Sequence, residues 1–218
     1  MFQLKTSSRK WVIVATIFVA IICNYFDRQL LSILKPEILD HFQIGDLEYA
    51  WIVNIFLICY ALMYPVSGLL VDKFGPKPVM LGGIVVWSLA CVGGGVSQEL
   101  WQFTACRGIL GLAEPTIFAG QLVAVTLWFE KRQRATANSL CTIGSSLGAV
   151  IAPLAIASLM RLLSSWQDVF LIAGYIGLAI AFAWIFVYKT PSQEILDKTI
   201  NADSKSPKGE AIKPFSLG

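Results

Sequence analysis

Apolar residues run through this chain in six long blocks, approximately 11–34, 50–71, 78–97, 101–128, 136–160 and 168–188, each bounded by charge, proline or glycine. Every block is near or above the roughly 20 residues that a helix rising 1.5 Å per residue needs to cross hydrocarbon. The pattern predicts an all-α membrane protein, a six-helix transmembrane bundle over 1–188. Beyond Tyr188 the composition turns to Thr, Pro, Ser, Lys, Asp and Glu, without a core-forming pattern. Residues 189–218 are therefore expected to be a cytoplasmic linker with a short surface helix near 195–200.

Basic residues set the expected orientation. Lys5, Arg9 and Lys10 precede the first block, Lys73 and Lys77 follow the second, Lys131, Arg132 and Arg134 follow the fourth, and five more lie in the tail. The opposite side carries Lys35 and Arg161 but gathers Glu37, Asp40, Asp46, Glu48 and Glu99. The positive-inside rule places both termini in the cytoplasm of a multi-pass protein of the cell (inner) membrane. The basic start and the apolar run up to Cys23 have the look of a signal peptide, but the run continues to Leu34 with no A-x-A pattern after Cys23, so it reads as an uncleaved first span. Trp11, Trp51, Trp101, Trp128 and Trp166 fall at predicted span ends, where indole rings favour the headgroup region, and only Trp87 is clearly central.

Composition agrees: 56% of the 218 residues are hydrophobic and 14% charged, with a mean hydropathy of +0.67, whereas soluble domains carry about 25% charged residues. Cys23, Cys59, Cys91, Cys106 and Cys141 lie inside apolar blocks without CxxC or CxxH spacing, and read as small packing residues. The one histidine, His41, falls in a predicted loop with no metal-ligand pattern around it. No metal, cofactor or nucleic acid is expected, and no nucleophile with a base, metal pair or phosphate loop points to an enzyme. Gly82-Gly83, Gly93-Gly94-Gly95, Gly108 with Gly111, Gly144 with Gly148, and Gly174 with Gly177 are expected to allow close helix packing.

Candidate chemistry lies in the charges within the blocks. Each costs roughly 2.5–3.5 kcal/mol on insertion scales, so each must face protein or water and find a partner. Asp27 and Arg28 lie seven and six residues in from Leu34, and Arg107 lies six in from Trp101. At 1.5 Å per residue these positions share a depth of roughly 10 Å, with Tyr60 slightly deeper and Glu114 near the bilayer centre. Faces agree as well: Asn24, Asp27 and Arg28 share one side of the first helix, and Tyr60, Tyr64 and Ser67 one side of the second. Arg107, Gly111, Glu114, Phe118 and Gln121 make a stripe on the fourth, and Asn138, Thr142, Ser145 and Ser146 another on the fifth. The stripes are expected to converge on one polar cavity. As structural glue, the acids and arginines would neutralise one another and the hydroxyls would bond neighbouring backbone. Function explains the charges better, because an apolar replacement of a buried ion pair is often neutral or stabilising.

The string Gly68-Leu69-Leu70-Val71-Asp72-Lys73-Phe74-Gly75-Pro76-Lys77 resembles the loop signature of the major facilitator superfamily and departs from it at Pro76, where a basic residue is usual. Asn24-Tyr25-Phe26-Asp27-Arg28, Arg107 with Glu114 seven residues on, and Trp128-Phe129 through Arg134-Ala135-Thr136-Ala137 resemble the anion:cation symporter branch, most of all bacterial hexuronate and galactonate transporters. The resemblance implies the N-terminal half of a fold of two six-helix bundles, with the substrate between them near midplane and alternating access by rocking. It implies proton-coupled symport of a small organic anion such as a sugar acid, with sodium open as the coupling ion, and the C-terminal bundle of the same full-length protein as partner within the lipid bilayer. Carried over, Arg28 and Arg107 would meet a substrate carboxylate, Tyr60 would donate a hydroxyl, and Asp27 and Glu114 would couple protons. Asn24 and Tyr64, on the same faces, join the expected substrate-facing set. Gly68, Asp72, Lys73, Gly75 and Lys77 would form the cytoplasmic gate, with Asp72 latching against the other bundle and Pro76 weakening that latch. The residues suggest a compatible mechanism: with both acids charged the arginines are paired, and protonation frees an arginine for the anion. The alternative is a non-transporting scaffold or regulatory half-bundle that assembles with a partner.

Overall fold

The computed structural model describes residues 6–163, 165–193, 195–197 and 199. Its elements are α1 (Thr6–Ile33), α2 (Lys35–Phe42), α3 (Asp46–Phe74), α4 (Pro76–Val96), α5 (Leu100–Ala113), α6 (Pro115–Trp128), α7 (Lys131–Leu162) and α8 (Trp166–Val187). Helices α5 and α6 are two halves of one span, so among the described residues six helical segments are long and apolar enough to cross a membrane. The break lies at Pro115, whose missing N–H leaves the Gly111 carbonyl unbonded from that side. The Thr116 hydroxyl repairs part of the loss by donating to the Ala113 carbonyl at 2.7 Å.

Helices overrun the apolar blocks at several ends, as at Asp46 and Lys131, because a helix need not stop where hydrocarbon does. The Glu48 carboxylate accepts from the Gly45 N–H at 3.0 Å ahead of α3, and the Ser165 hydroxyl accepts from the Gln167 N–H at 3.2 Å ahead of α8. Between α3 and α4 the chain turns on Gly75 alone, at φ 82°, a left-handed conformation that favours glycine, and Pro76 opens α4 at a position where its missing N–H costs nothing.

One expectation is corrected. The segment expected to be a loop around His41 is the helix α2, with Pro36 in its first turn and Ile38 fully buried. Phe42 packs against Phe103 and Trp166 with ring centroids 5.6 and 6.1 Å apart, and Gln43 at φ 51° ends the helix. That apolar anchorage makes the segment a cap over the ends of α5 and α8. Trp166 is correspondingly buried, as is Trp128, while Trp11, Trp51 and Trp101 are exposed. Of the helix expected near 195–200, Ile195, Leu196, Asp197 and Thr199 are helical; Ile195 packs on the bundle and Thr199 is buried. Residues 189–192 ahead of it are non-helical, and 194, 198 and 200–218 of the expected linker lie outside the described residues.

The main packing pairs are α4 with α8, α1 with α7, α3 with α5 and α4 with α5. Two apolar clusters result. One gathers Ile13, Ile17 and Ile21 of α1 with Trp87, Leu110, Ile117 and Trp184; the other gathers Leu30 and Leu34 with Phe103, Ile156 and Phe170. On α1, Asn24, Asp27 and Arg28 fall between them. The span α5–α6 is the most buried and α3 the least.

Close approach of backbones depends on glycine at the α3–α5 contact, where a Cβ on Gly111 would stand 2.5 Å from the Phe56 carbonyl oxygen. Gly111→Ala is expected to destabilise the bundle by about 1–3 kcal/mol, since rigid backbone must move. Gly82→Ala, where the added carbon meets nothing within 4 Å, is expected to be neutral or to stabilise by up to about 1 kcal/mol. Thermal unfolding of both variants in nanodiscs checks the pair.

Candidate functional site: a charged layer between two apolar clusters

Helical period and reach together assemble the site. Arg28 leaves the side of α1 that faces α3, and its side chain extends to the α5–α6 junction. There its Nε donates to Glu114 Oε2 at 2.8 Å and its Nη2 lies 2.7 Å from the same oxygen. Arg28 retains 26% side-chain exposure while Glu114 has none, so the pair presents its cation outward and hides its anion. Around the guanidinium stand Tyr60, Phe56 and Tyr25, with ring centroids 4.5, 5.6 and 5.1 Å from Cζ. Aromatic faces hold a cation without neutralising it, so its positive field persists toward the open side. Tyr60 continues to Tyr64 at 5.9 Å, and Tyr64 is exposed.

Asp27 points the other way. It is buried, and Oδ2 accepts a hydrogen bond from the indole N–H of Trp87, at the centre of α4 and itself fully buried. Arg107 lies within electrostatic range of Asp27 and Glu114 but has no carboxylate at salt-bridge distance among the described residues. Its guanidinium instead lies over Phe170 at 4.8 Å and Phe103 at 5.4 Å, two rings in edge-to-face contact with each other, beneath the aromatic cap of α2 and Trp166. The structure therefore separates the two arginines. Arg28 is mostly buried, partly exposed and paired, whereas Arg107 is sealed inside the bundle as the nearby counter-charge of Asp27. Asn24, wholly buried one turn before Asp27, has neither amide atom bonded, and Asp27 Oδ1, Glu114 Oε1 and Arg107 Nη2 also lack partners among the described residues.

Other candidates sit apart from this layer. Gly68, Asp72, Lys73, Gly75 and Lys77 occupy the end of α3, the turn and the start of α4. Asp72 is exposed and lines, with Tyr64, Pro65, Ser67 and Gly68, an open cavity of about 270 Å³ against Ala119, Leu122 and Val123 of α6. The Lys77 carbonyl accepts from the Trp184 indole at 3.2 Å, tying the turn to α8. Gln121 donates to Asn138 at 3.2 Å, joining the stripes of α6 and α7. The hydroxyls of Ser67, Thr142 and Ser145 bond carbonyls of their own helices, and Thr142 and Ser146 are exposed. All five cysteines are free thiols.

Sequence reading located Trp87 at mid-span without assigning it a role, and gave none to Phe56 or Phe170. A lone central tryptophan in a block rich in small residues was the available signal. An indole N–H buried in hydrocarbon needs an acceptor, and Asp27 lies at a similar depth.

The profile of the Major Facilitator Superfamily matches residues 17–216, nearly the whole chain. The chain belongs to that superfamily. It is 28% identical over 195 residues to the galacturonate transporter of Dickeya chrysanthemi, covering 89% of this chain and 55% of that protein. It is 26% identical over 220 residues to the hexuronate transporter of Escherichia coli (strain K12), covering 98% and 51%. To the D-galactonate transporter of Escherichia coli O6:H1 it is 29% identical over 188 residues, covering 86% and 43%. Among solved structures, a bacterial homolog of the human lysosomal transporter Spinster, inward-facing and unoccupied, superimposes with a TM-score of 0.75 at 18% identity, covering 85% of this chain and 44% of that one. That likeness shows the fold. The chain spans about half the length of the curated relatives it matches, and its spans form the N-terminal half of the superfamily fold in a multi-pass membrane protein.

The geometry predicts a strong coupling between Arg28 and Glu114. Arg28→Met, which strands a buried carboxylate, should cost about 3 kcal/mol of bundle stability, and the double variant Arg28→Met/Glu114→Leu should recover most of it. A double-mutant cycle by thermal unfolding in nanodiscs measures the coupling.

Proposed function

We propose that this chain is the N-terminal bundle and linker of a proton-coupled symporter for an organic anion, a sugar acid of the hexuronate or aldonate kind. The observation that carries the reading is the Arg28–Glu114 pair: a partly exposed arginine in an aromatic cage, bonded to a carboxylate that no solvent reaches. The sugar-acid transporters to which the chain is similar support the substrate class. While Glu114 is charged, Arg28 is neutralised by it. When Glu114 takes up a proton, Arg28 is released, and its planar fork can grip a substrate carboxylate with two parallel hydrogen bonds. Tyr60, stacked on the same guanidinium, offers a hydroxyl, and Tyr64 extends that face. Asp27 is the second proton carrier, and the sealed Arg107 acts on substrate through its field and through its hold on Asp27.

Alternating access needs a second surface. The least-buried span, α3, leaves Leu62, Tyr64 and Leu69 exposed, and α7 leaves Val150, Ile151 and Leu154 exposed. These faces support a C-terminal six-helix bundle as partner, with the substrate bound between the two halves and the 68–77 turn, led by Asp72, latching them at the cytoplasmic side. The distribution of lysine and arginine supports cytoplasmic termini in the inner membrane.

In a chain carrying both bundles, Glu114→Gln is expected to keep counterflow exchange of labelled sugar acid and to abolish accumulation driven by a pH gradient. Arg28→Lys, which keeps the charge but loses the fork, should lower uptake about tenfold or more through a raised KM. Unchanged pH-driven accumulation in Glu114→Gln would refute the coupling role.

A further inference from the structure

Trp87 donates a hydrogen bond from α4 to a charge of the layer, Asp27, which also has the Cys91 thiol of the same helix within hydrogen-bonding reach. Trp87 has 0% exposure at the centre of a span, so its N–H has no water to fall back on. An indole N–H is donor only. It bonds a carboxylate oxygen when the acid is charged and the carbonyl oxygen when the acid is neutral, and it can never take the proton itself. The same one-sided pattern holds at the second acid: both Arg28 contacts fall on Glu114 Oε2 and leave Oε1 unpartnered.

Resting on the reading of Asp27 as a proton carrier, we propose that Trp87 is a positioning residue for proton exchange, holding Asp27 by Oδ2 in both charge states and directing the proton to Oδ1. Oδ1 lacks a partner among the described residues, and a wholly buried, unbonded amide, that of Asn24, sits one turn earlier on the same helix face. A neutral Asp27 needs an acceptor for its new O–H, and we assign that part to the unbonded Asn24 carbonyl one turn earlier. Other charged or titratable groups facing Asp27 are few. Cys91 follows Trp87 by one turn on α4, Arg107 comes from α5 and Glu114 from the α5–α6 junction, with Cys23 on its own helix. From α7 and α8, which also pack on α1, no titratable group faces it among the described residues. Of these, Trp87 alone makes a direct bond to Asp27 without being able to carry charge or proton, which suits it to hold geometry rather than to join the relay.

The test uses the 218-residue chain in nanodiscs, labelled with ¹⁵N-tryptophan. The indole N–H signal of Trp87, identified by its loss in Trp87→Phe, should shift in a single step with pH, and Asp27→Asn should abolish that step. The infrared carboxylic-acid band of Asp27, assigned by its loss in Asp27→Asn, gives the midpoint directly. Trp87→Phe keeps the ring and removes the donor that favours the charged form, so the midpoint should move up by about one pH unit. An unmoved midpoint in Trp87→Phe overturns the proposal and leaves Asp27 standing as a proton carrier. No Asp27 band at any pH overturns both. Should Trp87→Phe fail to fold, ¹⁵N signals of the unsubstituted chain decide: indole resonances that all stay constant while the Asp27 band titrates overturn the proposal.

Discussion

A charge in hydrocarbon must be answered by the protein, and the rest of this bundle is arranged around that constraint. Four ionised side chains enter the apolar interior, each at a cost of roughly 2.5–3.5 kcal/mol on insertion scales. They are confined to one layer between two apolar clusters, where each meets a different answer. Glu114 has a bidentate-capable cation, Asp27 an indole donor, Arg28 an aromatic cage with an open side, and Arg107 two phenylalanine faces and a nearby acid. Of the four, only Arg28 keeps appreciable exposure.

Of the two spans that carry a pair of these charges, α1 is continuous and the fourth is broken. Pro115 follows Glu114 and divides the most buried span into α5 and α6. Backbone groups freed in a membrane must be satisfied inside the protein, and Thr116 supplies one such bond. The break places the Glu114 side chain at the end of one helical segment and the start of another. Arg28 meets it there from α1, so this ion pair ties the first span to the break in the fourth.

Packing follows a different logic, because lipid is as apolar as the side chains and supplies no drive for helix association. Backbones approach at glycine, as at Gly111 against Phe56 and at Gly148 against Ile22, where no side-chain carbon fits. The least buried spans, α3 and α7, pack closely at these contacts and still carry broad exposed faces elsewhere. A bundle built only to be stable in lipid could leave any face outward. This one leaves outward the face beside Arg28, Tyr60 and Tyr64.

Span number, helical class and the depth shared by Asp27, Arg28 and Arg107 were all legible in the amino-acid sequence, because bilayer thickness and the 1.5 Å rise convert position along the chain into depth. The faces of each helix were legible too, since a period of 3.6 puts Asn24, Asp27 and Arg28 on one side. Period does not say which neighbour that side meets. Rotation of each helix about its axis, set by glycine contacts and by the volume of Phe56, Phe103 and Phe170, decided that Arg28 takes Glu114 while Asp27 takes Trp87. Helix α2 escaped the sequence because a short amphipathic segment between charged residues looks like a loop until Phe42 finds Phe103 and Trp166. The sequence by itself determined which groups lie at one depth and that they must be partnered; only the tertiary structure decided the partners, because pairing depends on azimuth and side-chain reach between helices distant in the chain.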